Sequence, residues 1–223
     1  MGAQRLSIVV PALNEAAGIR AALEALAPFR ARGHEVIVVD GGSHDGTVEA
    51  ASAFCDRVLV SEKGRARQMN AGARAASGEA LLFLHADTRL PANADLVVLE
   101  ALARSAWGRF DVRIDGRHRL LPVVAAAMNV RSRLTGIATG DQAIFVRREA
   151  FRGFPEIALM EDIAFSAAMK ERPACLRQKV ATSGRRWERG GVLRTVLLMW
   201  RLRFLYALGV PPARLARDYA ERR

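Results

Sequence analysis

Leu6-Ser7-Ile8-Val9-Val10-Pro11-Ala12-Leu13-Asn14-Glu15 and, after one intervening helical stretch, Val36-Ile37-Val38-Val39-Asp40-Gly41-Gly42-Ser43-His44-Asp45-Gly46 decide the fold. Each is a short apolar run that stops at turn-forming residues. Asn14 opens an Ala/Leu/Glu-rich helical stretch to about position 27, and Thr47 begins another. Two further runs, 57–60 and 80–84, keep the rhythm, with a helical stretch at 65–76 between them. Runs that are apolar on both faces and separated by helices predict a parallel sheet covered on both sides. Ligands of such sheets bind beyond the carboxyl ends of the strands, and here those ends hold Asn14, Glu15, Asp40, His85 and Asp87.

After Pro91 the rhythm changes to a mixed pattern. A helix is expected from about 93 to 105, an extended stretch around 108–114, an apolar helix from about 119 and a strand at 143–146. Beyond Pro155 come a helix at 161–171, a short run at 175–180 and a basic end. No internal repeat and no linker interrupts the chain, so 1–223 is expected to form one domain. Its 223 residues, 51% hydrophobic and 26% charged, exclude a disordered or fibrous protein. Cys55 and Cys175 have neither metal-ligand spacing nor a redox motif and are expected to be reduced. The N-terminus has no signal-peptide pattern, which leads to the expectation of a cytoplasmic protein.

The net charge is +11, nearly all from arginine, since Lys63, Lys170 and Lys179 are the only lysines. Positions 185–223 alone contribute +7, so an anionic partner is expected there. Within that region 192–210 is long and apolar but contains Arg194, Arg201 and Arg203. At about 3 kcal/mol each near a bilayer centre, these outweigh ten Leu, Val and Phe residues worth about 0.3–0.6 kcal/mol each. Segment 188–223 therefore reads as basic, amphipathic and helical, either half buried against the domain or lying on an anionic membrane surface.

Several side chains suit a charged ligand. Asp40, at a strand end before two glycines, can accept hydrogen bonds from a base or ribose, or cap its own turn. Asp87 can supply the single carboxylate with which Mg²⁺ is held against substrate phosphates, and His85, two positions away on an extended segment, is expected to point the same way. Lys63 and Arg67 flank an expected helix N-terminus, which favours phosphate. Asp141, Glu161 and Asp162 are acidic residues near element starts, open to catalysis or to simple dipole pairing. Arg185-Arg186-Trp187 suits a diphosphate and a sugar face, or a packing corner. Neither a P-loop nor a dinucleotide fingerprint occurs.

Taken in order, Ile8 through Glu15, Val38 through Thr47, the segment ending in Asp87, Glu161-Asp162 and Arg186-Trp187 resemble the family 2 glycosyltransferases, over positions 6 to about 187. Leu82-Phe83-Leu84-His85-Ala86-Asp87-Thr88 with Ser183-Gly184-Arg185-Arg186-Trp187 is similar to a compact bacterial subgroup associated with radical-SAM/selenodomain proteins and linked to arsenosugar biosynthesis. The resemblance implies an α/β fold: a GT-A-like, Rossmann-type mixed sheet, mostly parallel, with helices on both faces. It implies a metal-assisted, inverting hexosyl transfer from a nucleotide-diphosphate sugar, a UDP-sugar foremost, to an acceptor hydroxyl it does not identify. By position, Pro11, Asn14, Glu15, Asp40 and Arg67 would line the nucleotide pocket. Asp87 would hold Mg²⁺ or Mn²⁺, and Asp162 would be the catalytic base. Asp141, Glu161, Arg186 and Trp187 would lie on the acceptor and diphosphate side. His85 replaces the first Asp of the family's Asp-x-Asp, and Ser183 stands in place of a Gln tied to processive synthesis.

Two other readings remain. A nucleotidyltransferase shares the architecture, but Pro11 to Glu15 lacks the Gly-rich, Lys-bearing segment that holds a triphosphate. A non-catalytic basic protein bound to membrane or nucleic acid would fit the charge. Nucleic acid is not expected, because aromatic residues are only 6% and no basic stretch is interleaved with them.

Overall fold

Alternate side chains of a strand leave on opposite faces, and here that period divides the apolar runs between two cores. Leu6, Ile8, Val10, Val36 and Val38 enter one; Val9, Ile37 and Val39 enter the other. The computed structural model of the protein describes residues 5–220. Its first part alternates β1 (Leu6–Ala12), α1 (Ala16–Glu24), α2 (Ala27–Ala31), β2 (Glu35–Asp40), α3 (Thr47–Ser52), β3 (Arg57–Val60), α4 (Arg65–Ala75) and β4 (Ala80–Phe83). Then follow β5 (Thr88–Arg89), α5 (Ala94–Leu102), β6 (Trp107–Asp115), α6 (Leu121–Thr135), β7 (Phe145–Arg147), α7 (Glu161–Ala168) and β8 (Ala174–Ser183). The last described elements are α8 (Arg185–Gly190), α9 (Val192–Ala207) and α10 (Pro212–Ala220).

The strands form one eight-stranded sheet in the order β3-β2-β1-β4-β7-β6-β8-β5. β3, β2, β1 and β4 are mutually parallel, β7 runs antiparallel to β4 and β6, and β8 is parallel to β6. The fold is thus mixed α/β, mostly parallel, as the sequence pattern implies. Helices cover both faces: Ile19, Leu23, Val98 and Leu121 pack on the first core, Met69, Ala73 and Phe165 on the second. Burying each large apolar side chain contributes about 1.5–3 kcal/mol. α4 lies especially close to the sheet. A Cβ on Gly72 would stand 2.3 Å from Val9 Cγ1, so the glycine lets the helix settle onto β1 and β2.

Several boundaries differ from the sequence reading for physical reasons. β1 continues through Pro11, because Val9 and Pro11 face the β4 side and the β4 pairing ends at Val9; the missing N–H leaves no ladder bond unmade. The helical stretch to position 27 divides into α1 and α2, since Pro28 cannot continue a helix but fits the first turn of a new one. β3 is not covered on both faces: it is the sheet's edge, and Val60 is exposed. α7 ends at Ala168 instead of position 171, with Met169 already extended. His85 and Asp87 do not share an extended segment, because Thr88 N–H donates to His85 C=O and closes a turn between them.

Of the two alternatives for the C-terminal segment, packing against the domain is the one seen. One face of α9 and α10 packs on the loop before α7, where Leu202 and Leu215 enclose Met160, while the opposite face of α9 is exposed.

Candidate active site

The tips of β1 and β2 are stitched into one crevice wall. Asp40 is buried and accepts the Gly42 and Ser43 amides on Oδ2, both at 2.8 Å, and the Ser43 hydroxyl on Oδ1. Gly42, at φ 87°, supplies the left-handed residue this turn needs. Asn14, at φ 54°, donates its amide to Ser43 Oγ and accepts the His44 N–H on Oδ1. The Glu15 amide donates to Thr47 Oγ1 at 2.9 Å. Pro11 is half-buried beside them at the end of β1.

α4 joins this wall to the second half of the molecule. Buried Gln68 donates to the carbonyls of Ala12 and Val39, at 2.7 and 2.9 Å, locking the two strand ends together. Asn70 exchanges two hydrogen bonds with the Phe154 backbone. Arg67 pairs with Glu62 and, at 3.5 Å, with Glu156. Arg65 reaches Glu161 at 3.2 Å. Burial alone would lower the Arg65 guanidinium, but Glu161, Asp162 and Asp141 raise it overall.

At the start of α7, Glu161 and Asp162 meet the Gly140–Gln142 turn. The Gly140 N–H donates to Asp162 Oδ2 at 2.8 Å, and the Ile163 N–H donates to Oδ1 at 2.7 Å. Burial and the neighbouring Glu161 push the Asp162 carboxyl up to about 6, against the two amides and Arg65, which pull it down. The His85 ring lies against Gly140, so closely that a Cβ there would stand 2.5 Å from Nε2; its Nδ1 is 3.3 Å from Asp141 Oδ1. Arg65, Met69, His85, Gly140, Glu161 and Asp162 line a small cavity with room for about one water molecule. Three non-glycine residues with positive φ occur among the described residues, Asn14, Ala143 and Met160, and all lie in these loops. Such strain persists where the surroundings enforce it. At Met160 the enforcing contacts are Leu202 and Leu215.

Asp87 is exposed in the turn after β4. The pairing of Thr88 with Thr182 brings this turn beside Ser183 and the start of α8, where Arg186 and Trp187 lie. The Trp187 ring packs against the first core, and the Arg186 side chain lies outside the described residues. Among the described residues no three His, Cys, Asp or Glu side chains cluster as a metal cage. A lone exposed carboxylate still fits a hard cation whose other ligands are diphosphate oxygens and water.

The structure therefore brings Pro11, Asn14, Glu15 and Asp40 together, and Asp141, Glu161 and Asp162 together, with Arg67 on the helix between. Sequence reasoning missed Arg65, Gln68 and Asn70 as site residues. The only local signal was the polar density of Arg65-Ala66-Arg67-Gln68-Met69-Asn70 on a helix beside a sheet.

The mixed, mostly parallel sheet with helices on both faces is the GT-A class of fold, shared with the solved structures below. The family model described as glycosyl transferase family 2 matches residues 7–158, and the chain belongs to that family. A PGL/p-HBAD biosynthesis glycosyltransferase of Mycobacterium bovis is 37% identical over 97 residues, covering 40% of this chain and 38% of that protein. The match thus spans well under half the length of the curated relative. Among solved structures, S. aureus TarS 1-349 in complex with UDP-GlcNAc superposes with a TM-score of 0.65 at 20% identity, over 81% of this chain and 59% of that one. Mannosyltransferase PcManGT from Pyrobaculum calidifontis, in complex with GDP-Man and Mn2+, gives 0.65 at 22% identity over 98% and 70%. At such identities the likeness is one of fold.

Proposed function

We propose that the protein transfers a hexosyl group from a nucleotide-diphosphate sugar, a UDP-sugar foremost, to an acceptor hydroxyl with inversion. The observation that supports this reading best is Asp162: a carboxyl pushed up to about 6, still mostly ionised at neutral pH, and fixed by the Gly140 amide in a cavity beside Arg65. Such a group suits general-base work. Asp162 takes the acceptor proton, the acceptor oxygen attacks the anomeric carbon, and the nucleotide diphosphate leaves. Pro11, Asn14, Glu15, Asp40 and Arg67 line the nucleotide pocket. Asp141, Glu161, Arg186 and Trp187 serve the acceptor and diphosphate side, and Arg65, paired with Glu161, keeps positive charge beside the base.

In this reading Asp87 holds Mg²⁺ or Mn²⁺ against the donor; the ion supplies neutralisation of diphosphate charge. Complexes of the mannosyltransferase above and of a mycobacterial glucosyl-3-phosphoglycerate synthase with Mn2+ support the use of a divalent ion, though not its ligand. The finer placement is the radical-SAM/selenodomain-associated subgroup. Its two sequence signatures, around Asp87 and around Trp187, are neighbours in space through Thr88 and Thr182. Residues 1–223 are read as one catalytic domain. Its setting is cytoplasmic, peripheral to the membrane's inner face.

The test is Asp162→Asn, assayed for sugar transfer and for thermal shift with UDP, GDP, CDP and dTDP, each with and without Mn²⁺. A ligand at a hundred times its Kd adds about 2.7 kcal/mol to stability. The expected variant keeps its nucleotide shift and loses turnover; full activity in Asp162→Asn would remove Asp162 as base. No shift of the wild type with any nucleotide would sink the donor assignment.

A further inference from the structure

α9 has two apolar faces, and the fold uses only one. Its inner face buries Val192, Thr195 and Leu202, with Leu198 and Leu205 packed beside Met160. Its outer face presents Leu193, Leu197, Trp200 and Phe204, with Leu208 just beyond its end, each 64–69% exposed. At 100° per residue these five fall in a stripe about 80° wide, running the length of the helix. Arg194 and Arg201 are exposed along one border of the stripe, and Arg203 is half-buried along the other. α10 adds exposed Arg214 and Arg217. An aromatic and aliphatic stripe between arginines is the composition of a helix that lies in the plane of a bilayer surface.

We propose that the outer face of α9 is a membrane seat: the Leu193–Leu208 stripe enters the acyl boundary of an anionic bilayer while the flanking arginines meet lipid phosphates. Charge selects this occupant. A second copy docked face to face would bring Arg194, Arg201 and Arg203 of two helices together, within a region that carries +7 per chain. The helix cannot cross the bilayer instead: its 16 residues span about 24 Å against a hydrocarbon core of about 30 Å, and no described helix is long and apolar enough. The inner face of the same helix holds Met160, the residue before Glu161 and Asp162. The seat therefore sets the site loop about one helix diameter from the membrane. This inference rests on the peripheral setting proposed above, yet its test needs no nucleotide or sugar, so its failure leaves the transferase reading standing.

The experiment is flotation of the full chain with vesicles of phosphatidylcholine alone and of phosphatidylcholine with phosphatidylglycerol. The wild type is expected to bind the anionic vesicles about tenfold better than the neutral ones. Its Trp200 emission should shift to the blue on binding, a shift absent in Trp200→Phe. The combined variant Leu197→Ser, Trp200→Ser, Phe204→Ser changes only exposed side chains and should melt like the wild type while binding about tenfold more weakly. Arg194→Glu should weaken binding to anionic vesicles alone. No flotation of the wild type, equal binding to both vesicles, or wild-type binding by the triple variant each overturns the proposal. So does a dimer by light scattering that the triple variant dissociates, which would give the stripe to a second copy.

Discussion

Asp40 and Asp162 are both carboxylates at the ends of secondary-structure elements, and their surroundings give them different work. Asp40 ends β2 and meets three donors from its own turn, two amides and a hydroxyl. Asp162 opens α7 and meets one amide from another segment and one from its own helix, with a second carboxylate beside it. Asp40 is buried and Asp162 half-buried. What separates them is how many donors meet the charge and whether a like charge stands near, so the first fixes a wall of the crevice and the second holds a proton-accepting oxygen at a cost.

The strongest way to break this contrast is to remove each carboxylate in turn. Asp162→Asn should lower turnover by about 10²–10⁴ while nucleotide binding and the fold survive. Asp40→Ala should act chiefly on structure and donor binding. It removes the acceptor of three donors in a turn where Gly42 is exposed and Ser43 half-buried, and a loss of about 1–2 kcal/mol is expected. Chemical denaturation and nucleotide thermal shifts read both effects. If Asp40→Ala kept its stability and nucleotide affinity but lost turnover, the roles assigned to the two groups would be reversed.

Gly140→Ala probes the support of Asp162 without touching its charge. The new Cβ would meet the His85 ring at 2.5 Å, so the ring or the turn must move. Overpacking of this kind costs about 1–3 kcal/mol. It should also loosen the Gly140 amide from Asp162, lowering kcat more than it raises KM. A purely global loss of stability, with kcat intact, would show that the turn does not position the base.

The contrast also separates what could be read in the sequence from what could not. The Asp40 wall was legible because β1 and β2 are adjacent apolar runs, and residues ending adjacent parallel strands must share an edge. That Asp40 accepts from Gly42 and Ser43 was one of the two local readings of its turn. The Asp162 surroundings were not legible, since Gly140, His85 and Arg65 come from three separate segments joined only by the folded sheet. Arg65 and Arg67 illustrate the limit: both were visible as basic residues at a helix start, but they point about 200° apart around the helix. Only the fold decides that Arg65 meets Glu161 at the start of α7 and that Arg67 meets Glu156 in the segment before it. Strand order was equally silent, which is why β3 was read as covered when it is an edge. The buried pair of Arg109 with Asp111, tied to Arg133 at 2.5 Å, was likewise unmarked in an extended stretch. For α9 the sequence left packing and a free surface open, and the helix packs one face on the loop before α7 and leaves the other exposed.

The smallest expected effect is the most diagnostic of the cause assigned to Asp162. If the base must be ionised, kcat/KM, which reports the free enzyme, should fall as pH drops through about 6. Glu161→Gln removes the like charge that helps hold the carboxyl up, so this acid limb should move to lower pH by a fraction of a unit. Arg65→Met removes a cation that pulls it down, so the limb should move the other way. The same displacement has a stability counterpart. A carboxyl raised from 3.8 to about 6 in the fold binds a proton there that the unfolded chain releases, so its contribution falls as pH rises across that interval. Glu161→Gln should shrink that fall, read as the difference in Tm between pH 4 and pH 7. If neither variant moved the acid limb, burial alone would be the cause and Glu161 and Arg65 would leave the account.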